Sequence, residues 1–250
     1  MRFQDRVVFV TGGAAGIGAA TARRFAAEGA RVAVADIDAE GARRVADDLP
    51  DALAVTIDVG DAASVEQAVA DTMQRYGRLD VIFNNAGTDS PHRPLHEMDP
   101  AEWEEARRVN GDGVFFVLKY GIEAMLRGGG GVVINTSSIA GLAALENVAP
   151  YTFTKAGVIG LTRSTAVEYA ARGIRINAIA PTVVMTGLVE RFIDRSEDPA
   201  RTRGVLDTFN PKPGIPTPDD VAGVVLFLAS DDAAWIVGHT LLMDGGYTAR

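Results

Sequence analysis

Short, solid apolar runs alternate along the chain with longer stretches of helical spacing. Residues 6–10, 31–35, 53–57, 79–83, 131–135, 174–179 and 240–243 are apolar at nearly every position. Runs without polar alternation are the pattern of strands buried on both faces, as in a parallel sheet covered by helices. Between them, residues 16–28, 39–48, 61–76, 100–127, 150–172 and 218–229 carry apolar positions at helical intervals. No hairpin signal joins successive strands. The pattern predicts an α/β fold over residues 1–250: a single doubly wound domain, mostly a seven-stranded parallel sheet with helices on both faces.

One stretch breaks this rhythm. Residues 187–216 are charged and proline-rich, with Asp194-Arg195-Ser196-Glu197-Asp198-Pro199 and Pro211-Lys212-Pro213-Gly214-Ile215-Pro216. The stretch is too long for an ordinary connection. It follows a strand end, where doubly wound sheets bind ligands, so it reads as a substrate lid inserted in the domain. Residues 187–194 would form a short amphipathic helix with Leu188, Phe192 and Ile193 inward.

Composition narrows the partners. With 47% hydrophobic residues the chain can bury one substantial core. A net charge of −9 speaks against nucleic acid or an anionic membrane as partner. The absence of cysteine removes disulfides and thiolate chemistry. His92 and His96 are four apart, but Pro91 and Pro94 interrupt any helix there, so no metal site is expected. No apolar run approaches the ~18 residues of a membrane span, and no secretory signal is visible; the expected setting is cytoplasmic.

Candidate chemistry begins with Thr11-Gly12-Gly13-Ala14-Ala15-Gly16-Ile17-Gly18, between the first predicted strand and helix. Glycines there permit a tight turn and a close backbone approach to a pyrophosphate, which then meets the helix N-terminus. No Gly-Lys-Ser/Thr follows, which excludes a phosphate loop of the nucleotide-triphosphatase kind. Asp36 ends the second strand, where a carboxylate can accept from ribose hydroxyls; Asp36 or Asp38 could also cap the next helix. Loop and carboxylate together indicate a Rossmann-type dinucleotide site. Ala14, Ala15 and Ile37 offer no cation for a 2′-phosphate, which favours NAD over NADP.

Tyr151 and Lys155 are four apart on a predicted helix and share a face. A free tyrosine titrates near about 10 and is a poor base, but a neighbouring ammonium favours its phenolate. Such a pair occurs by chance on many amphipathic helices. Its weight comes from its place in a series.

In order, the glycine loop, Asn84-Asn85-Ala86-Gly87, Asn110, Asn135-Thr136-Ser137-Ser138, the Tyr151–Lys155 pair, the segment from Pro181 to Thr186 and Asp244-Gly245-Gly246 resemble the short-chain dehydrogenase/reductase family, of the Tyr-x-x-x-Lys type, over nearly the whole chain. One position departs from the family pattern: Thr182 stands where glycine is usual. The resemblance implies an NAD-dependent oxidoreductase that transfers a hydride between the nicotinamide and a secondary alcohol or ketone. It makes Tyr151 the general acid/base, has Ser138 orient the substrate oxygen, has Lys155 hold the nicotinamide ribose, and has Asn110 support a water-linked proton path from Lys155. It gives the cofactor Gly12, Gly16, Ile17, Gly18, Asp36 and Ile37 at one end. Asp58 and Val59 meet the adenine, Asn84 and Gly87 let the backbone pass close to the ribose with Asn85 and Ala86 between them, and Pro181, Val184 and Thr186 lie at the nicotinamide. It also implies a homotetramer, with helices 100–127 and 150–172 at one contact and Trp235 and Tyr247 at another.

The pocket would be lined by Leu142, Leu145, Val148, Val183, Leu188 and Phe192, with Asp89, Glu146 and Asn147 as polar contacts. Such a lining suits a cyclic or otherwise bulky alcohol. Arg23-Arg24 and Arg107-Arg108 read as solvated helix faces. Two other readings stay open. A 3-oxoacyl-carrier-protein-type ketoreductase is opposed by Asp36 and the acidic charge. A non-catalytic NAD-sensing protein would not need the intact Ser138, Tyr151 and Lys155 set.

Overall fold

The computed structural model describes residues 1–249. Seven strands, β1 (Val7–Thr11), β2 (Arg31–Asp36), β3 (Ala52–Thr56), β4 (Val81–Asn84), β5 (Gly131–Thr136), β6 (Ile174–Pro181) and β7 (Thr240–Met243), form one sheet in the order β3-β2-β1-β4-β5-β6-β7. Every pairing is parallel. The helices between them are α1 (Gly16–Ala27), α2 (Ala39–Asp47), α3 (Ala62–Tyr76), α4 (Pro100–Arg107), α5 (Gly113–Gly128), α6 (Ala149–Tyr169), α7 (Gly187–Asp194), α8 (Pro199–Asp207) and α9 (Pro218–Ala229). The Rossmann-type fold read from the sequence is the fold observed.

The two-residue period of the strands divides the apolar runs between two cores. Val8 and Val10 of β1, with Val32 and Val34 of β2, face the core built with α1, α2 and α9. Val7, Phe9, Ala33 and Ala35 face the core built with α3, α5 and α6. Phe9, Phe25, Phe83, Ile134 and Ile176 are fully buried. Each such side chain contributes roughly 1.5–3 kcal/mol relative to exposure. Helix starts follow local chemistry: Asp38, Asp61 and Asp99 accept from first-turn amides of α2, α3 and α4.

Two predicted elements differ. The helix expected over residues 100–127 is interrupted: α4 gives way to a π-helical turn at Arg108–Asp112 before α5 starts. Gly111 lies within the wider turn and Gly113 follows it, and Val59 packs so closely on Gly113 that an added Cβ would lie 3.0 Å from its side chain. The lid holds a second helix, α8, that the sequence reading left as loop; Asp198 caps it and Pro199 opens it. Among the described residues, no helix is long and apolar enough to cross a membrane.

Candidate active site

Strand order reverses at the neighbours β1 and β4, whose chain continuations leave toward opposite sides of the sheet. A crevice opens there beyond the carboxyl ends of the strands. The turn after β1 forms one wall. Gly12 has φ +66°, and a Cβ on Gly18 would fall 2.0 Å from the Gly12 carbonyl oxygen, so this turn closes only on glycine. Thr11 ties it to the loop after β4: its Oγ1 accepts from the amides of Asn85 and Ala86 at 2.9 and 3.0 Å.

The end of β2 forms the outer half of the crevice. Asp36 Oδ2 accepts from the Ala14 amide at 2.9 Å and Oδ1 from the Asp38 amide at 3.0 Å, while Asp38 itself caps α2 through the Gly41 amide. The capping ambiguity in the sequence is thereby resolved, and Asp36 faces a cavity of about 330 Å³ with Gly12, Ile37, Asp58, Val59 and Arg108. One expectation is corrected here. Asp58, which lines this cavity, is held by Arg108, whose Nη1 donates to both its oxygens, at 3.0 and 2.9 Å. Arg108 is not a solvated face but bridges Asp58 and Glu105 across fifty residues of sequence, hydrogen bonds that push its already high pKa higher.

The inner cavity, about 360 Å³, shares Gly87 and Thr88 with the outer one, so the two form a continuous channel. Ser138, Tyr151, Lys155, Pro181, Val184 and Thr186 line it. Lys155 is buried, and its Nζ donates to the Thr136 carbonyl at 3.0 Å. Burial pushes its pKa down from 10.5 to about 8. Tyr151 runs against the expectation that Lys155 would make it acidic. Burial pushes its hydroxyl up, a hydrogen bond with Ser138 pulls it down, and the Asp89 carboxylate raises it further. The Lys155 ammonium lies 5.5 Å from the Tyr151 ring centre, over its face.

Asn110 sits in the π-helical turn, fully buried. Its Oδ1 accepts from the Thr88 amide and its Nδ2 donates to the Thr88 carbonyl, both at 2.8 Å. Both ends of the side chain are thus used to fix the loop after β4, beside Gly87. A Cβ on Gly87 would lie 3.0 Å from Asn110 Oδ1 and 3.5 Å from Lys155 Nζ. The Asn84 side chain turns into the core, where its Nδ2 donates to Asn135 Oδ1 and the Val114 carbonyl. Asn85, Ala86 and Gly87 line the crevice. Thr186 precedes α7 without capping it by its side chain, and Ile17 lies across the same cavity.

The substrate end differs more. Leu145, Val148, Val183, Leu188 and Asp89 line the inner cavity as predicted, but Leu142, Glu146, Asn147 and Phe192 do not. Only Ile193 of α7 is buried; Leu188 and Phe192 are 57% and 60% exposed. His92, read as a surface histidine, and Phe209 line the inner cavity. Phe209 stacks on Tyr247 with ring centres 4.9 Å apart. The departure at Thr182 is accommodated: its Oγ1 donates to Asn210 Oδ1 at 2.9 Å, both residues buried, which fastens the return of the lid to β6.

The channel fits a nicotinamide dinucleotide. The glycine turn admits close backbone approach at its centre, a fixed carboxylate marks one end, and a buried Tyr–Ser pair with a lysine marks the other. Comparisons with known proteins agree. A family profile described as Enoyl-(Acyl carrier protein) reductase matches residues 12–248. The chain is 41% identical to levodione reductase of Leifsonia aquatica, covering 99% of this chain and 96% of that protein. It is 43% identical to cis-4-hydroxycyclohexanecarboxylate dehydrogenase of Sinomonas cyclohexanicum, covering 99% and 98%. A crystal structure of levodione reductase superposes with a TM-score of 0.95 at 39% identity, covering 99% of both chains.

Proposed function

The chain belongs to the short-chain dehydrogenase/reductase family and is a nicotinamide-dependent oxidoreductase of alcohols and ketones, and from that premise we propose that it is an NAD-dependent dehydrogenase of cyclic secondary alcohols with Tyr151 as general acid/base. The observation carrying this reading is that Ser138, Tyr151 and buried Lys155 line one largely apolar cavity, with the Lys155 ammonium 5.5 Å from the Tyr151 ring centre. Bound nicotinamide would supply the hydride acceptor or donor. Gly12, Gly16, Gly18, Asp36, Gly87 and Lys155 are the residues to hold it.

In oxidation, the substrate hydroxyl donates its proton to Tyr151 Oη while Ser138 Oγ holds the same oxygen in place. In reduction, Tyr151 returns the proton to the carbonyl oxygen. The Lys155 ammonium, 5.5 Å from the Tyr151 ring centre, would offset part of the burial that raises the Tyr151 hydroxyl. Leu145, Val148, Val183 and Leu188 supply apolar walls that suit a ring. Two relatives' names point the same way: one is a reductase of levodione, the other a dehydrogenase of a hydroxycyclohexane acid.

A carrier-protein reductase is the second reading, favoured by the description of the matching family profile. Asp36 and a net charge of −9 weigh against it, since NADPH and an acidic carrier protein both call for basic groups. The deciding experiment is a panel of cyclohexanols, linear secondary alcohols, diols and 3-hydroxyacyl thioesters, assayed with NAD and with NADP. The proposal expects the cyclohexanols with NAD to give the highest kcat/KM. Turnover confined to thioesters with NADP overturns it.

A further inference from the structure

The lid contains a second opening. A cavity of about 440 Å³ lies under α7, lined by apolar Leu188, Val189, Phe192 and Leu206 and by Arg191 and Arg195. It shares Asp89, Val183, Leu188 and Val189 with the catalytic cavity, so the two cavities meet along these residues, with the catalytic side chains on one side and the two guanidinium groups on the other. Arg191 and Arg195 are one helical turn apart on the same face, where like charges repel. Neither side chain has a hydrogen bond or ion pair among the described residues. In the same acidic chain, exposed Arg23, Arg44 and Arg75 find carboxylates while exposed Arg43 and Arg163 do not, so what sets Arg191 and Arg195 apart is their shared place on this cavity. Glu190 and Asp194, on the same helix, leave both arginines unpaired. Two unpaired guanidiniums beside an apolar groove that continues from a catalytic pocket form a complement to an amphiphilic anion.

We infer that Arg191 and Arg195 receive a carboxylate carried on the far side of the substrate ring, so that the preferred substrate is a hydroxylated alicyclic acid lying with its hydroxyl at Ser138 and Tyr151 and its carboxylate under α7. Asp89 fixes the direction. It stands in the shared wall, accepts from the Ser90 amide at 2.9 Å and has His92 Nε2 3.5 Å away. An anion is repelled beside Asp89 and attracted beyond it. A neutral ring suits the apolar junction of the two cavities at Val183, Leu188 and Val189, and only the end that reaches the arginines needs charge. The geometry also accounts for Leu188 and Phe192, which the amphipathic pattern placed inward. They line the groove and leave burial to Ile193.

This inference rests on the dehydrogenase reading, and the test separates the two. Hydroxycyclohexanecarboxylate isomers, their methyl esters and cyclohexanol are assayed with the full-length protein and NAD. Binding of cyclohexanecarboxylate and of cyclohexanecarboxamide is measured in parallel by calorimetry. The acid is expected to show a KM at least about tenfold below its ester, and the carboxylate to bind at least about tenfold tighter than the amide, a gain typical of a charge-assisted pair. Both ratios should fall toward one in R191Q/R195Q and largely persist in R191K/R195K, which keeps the charges. Equal handling of acid and ester by the wild-type protein, or ratios unmoved in R191Q/R195Q, overturns the inference while turnover of cyclohexanol keeps the dehydrogenase reading. Carboxylate binding without turnover of any alcohol overturns both, because the arginines would then hold something other than a substrate of this reaction.

Discussion

Lys155 shows how far a single side chain sets the behaviour of this site. Its ammonium is buried with one carbonyl partner, and its pKa falls from 10.5 to about 8. Between those values the unfolded chain holds more protons than the folded one, so stability from this position rises with pH, and the penalty is complete below about 8. Lys155→Met should abolish turnover yet raise stability at neutral pH by on the order of 2 kcal/mol, after allowing for the carbonyl left unpaired. Thermal unfolding checks this: the gain should shrink as pH approaches that of free lysine, and a Tm lowered at neutral pH refutes it. Tyr151, raised by burial, should make oxidation climb toward alkaline pH and reduction favour lower pH. Tyr151→Phe should lose nearly all turnover and keep nicotinamide binding, measured by fluorescence titration. At the other end, a 2′-phosphate brings about −1.5 to −2 charges toward Asp36. At ~4 Å and an effective dielectric of ~20, each costs about 4 kcal/mol before screening, and a third of that is about tenfold in affinity. Asp36→Ser with Ile37→Arg should therefore narrow or reverse a preference for NAD, read as the ratio of kcat/KM for the two cofactors.

At the scale of elements, the lid is the part built differently from its surroundings. α7 and α8 bury little of their own surface, and α8 has no buried residue. Their attachment is local: the Thr182–Asn210 hydrogen bond, the Phe209–Tyr247 stack and the Lys212 amide donating to the Gly245 carbonyl. Thr182→Val keeps the shape and removes the hydroxyl, leaving the buried Asn210 oxygen without its donor. A loss of about 1–3 kcal/mol is expected at the lid root. The substrate KM should rise while the cofactor Kd stays, because the pyrophosphate turn lies on α1, which this bond does not touch. An unchanged KM with a lowered Tm would make the bond purely structural. The π-helical turn between α4 and α5 is the second such element; it turns Asn110 onto Thr88, which a straight α-helix over residues 100–127 would carry to a different face.

For the whole molecule, part of the unburied apolar surface falls on two faces. Phe115, Phe153 and Val167 are exposed on α5 and α6, with Trp103 of α4 packed on Phe153 at 4.8 Å between ring centres. Trp235 is 99% exposed near Val237 and Leu242, before and within β7. Two separate apolar faces fit two separate contacts, and a homotetramer is the assembly proposed. Sedimentation at micromolar concentration should give four times the chain mass of 26.4 kDa, and Trp235→Glu should give a dimer. A stable wild-type monomer rules it out.

The sequence by itself determined the sheet, the glycine turn and the order of the catalytic residues. Strand and helix periods are local, and the turn at Gly12 and Gly18 tolerates no other residue. The Tyr151–Lys155 spacing depends only on helix geometry. Helix α8 was not read from the sequence, although Asp198-Pro199 carried its local signal, a cap followed by a first-turn proline. Tertiary structure alone decided what depends on which side chains meet. Arg108 reaches Asp58 across the crevice, Asn84 turns into the core while Asn85 turns out, and Thr182 finds Asn210. It also decided that Leu188 and Phe192 stay exposed while Ile193 is buried, because the lid helix packs on a rim rather than a core. Periodicity along a helix fixes a face, but what that face meets is set by partners distant in sequence, and burial at those meetings is what moved the Tyr151 and Lys155 protons from their ordinary values.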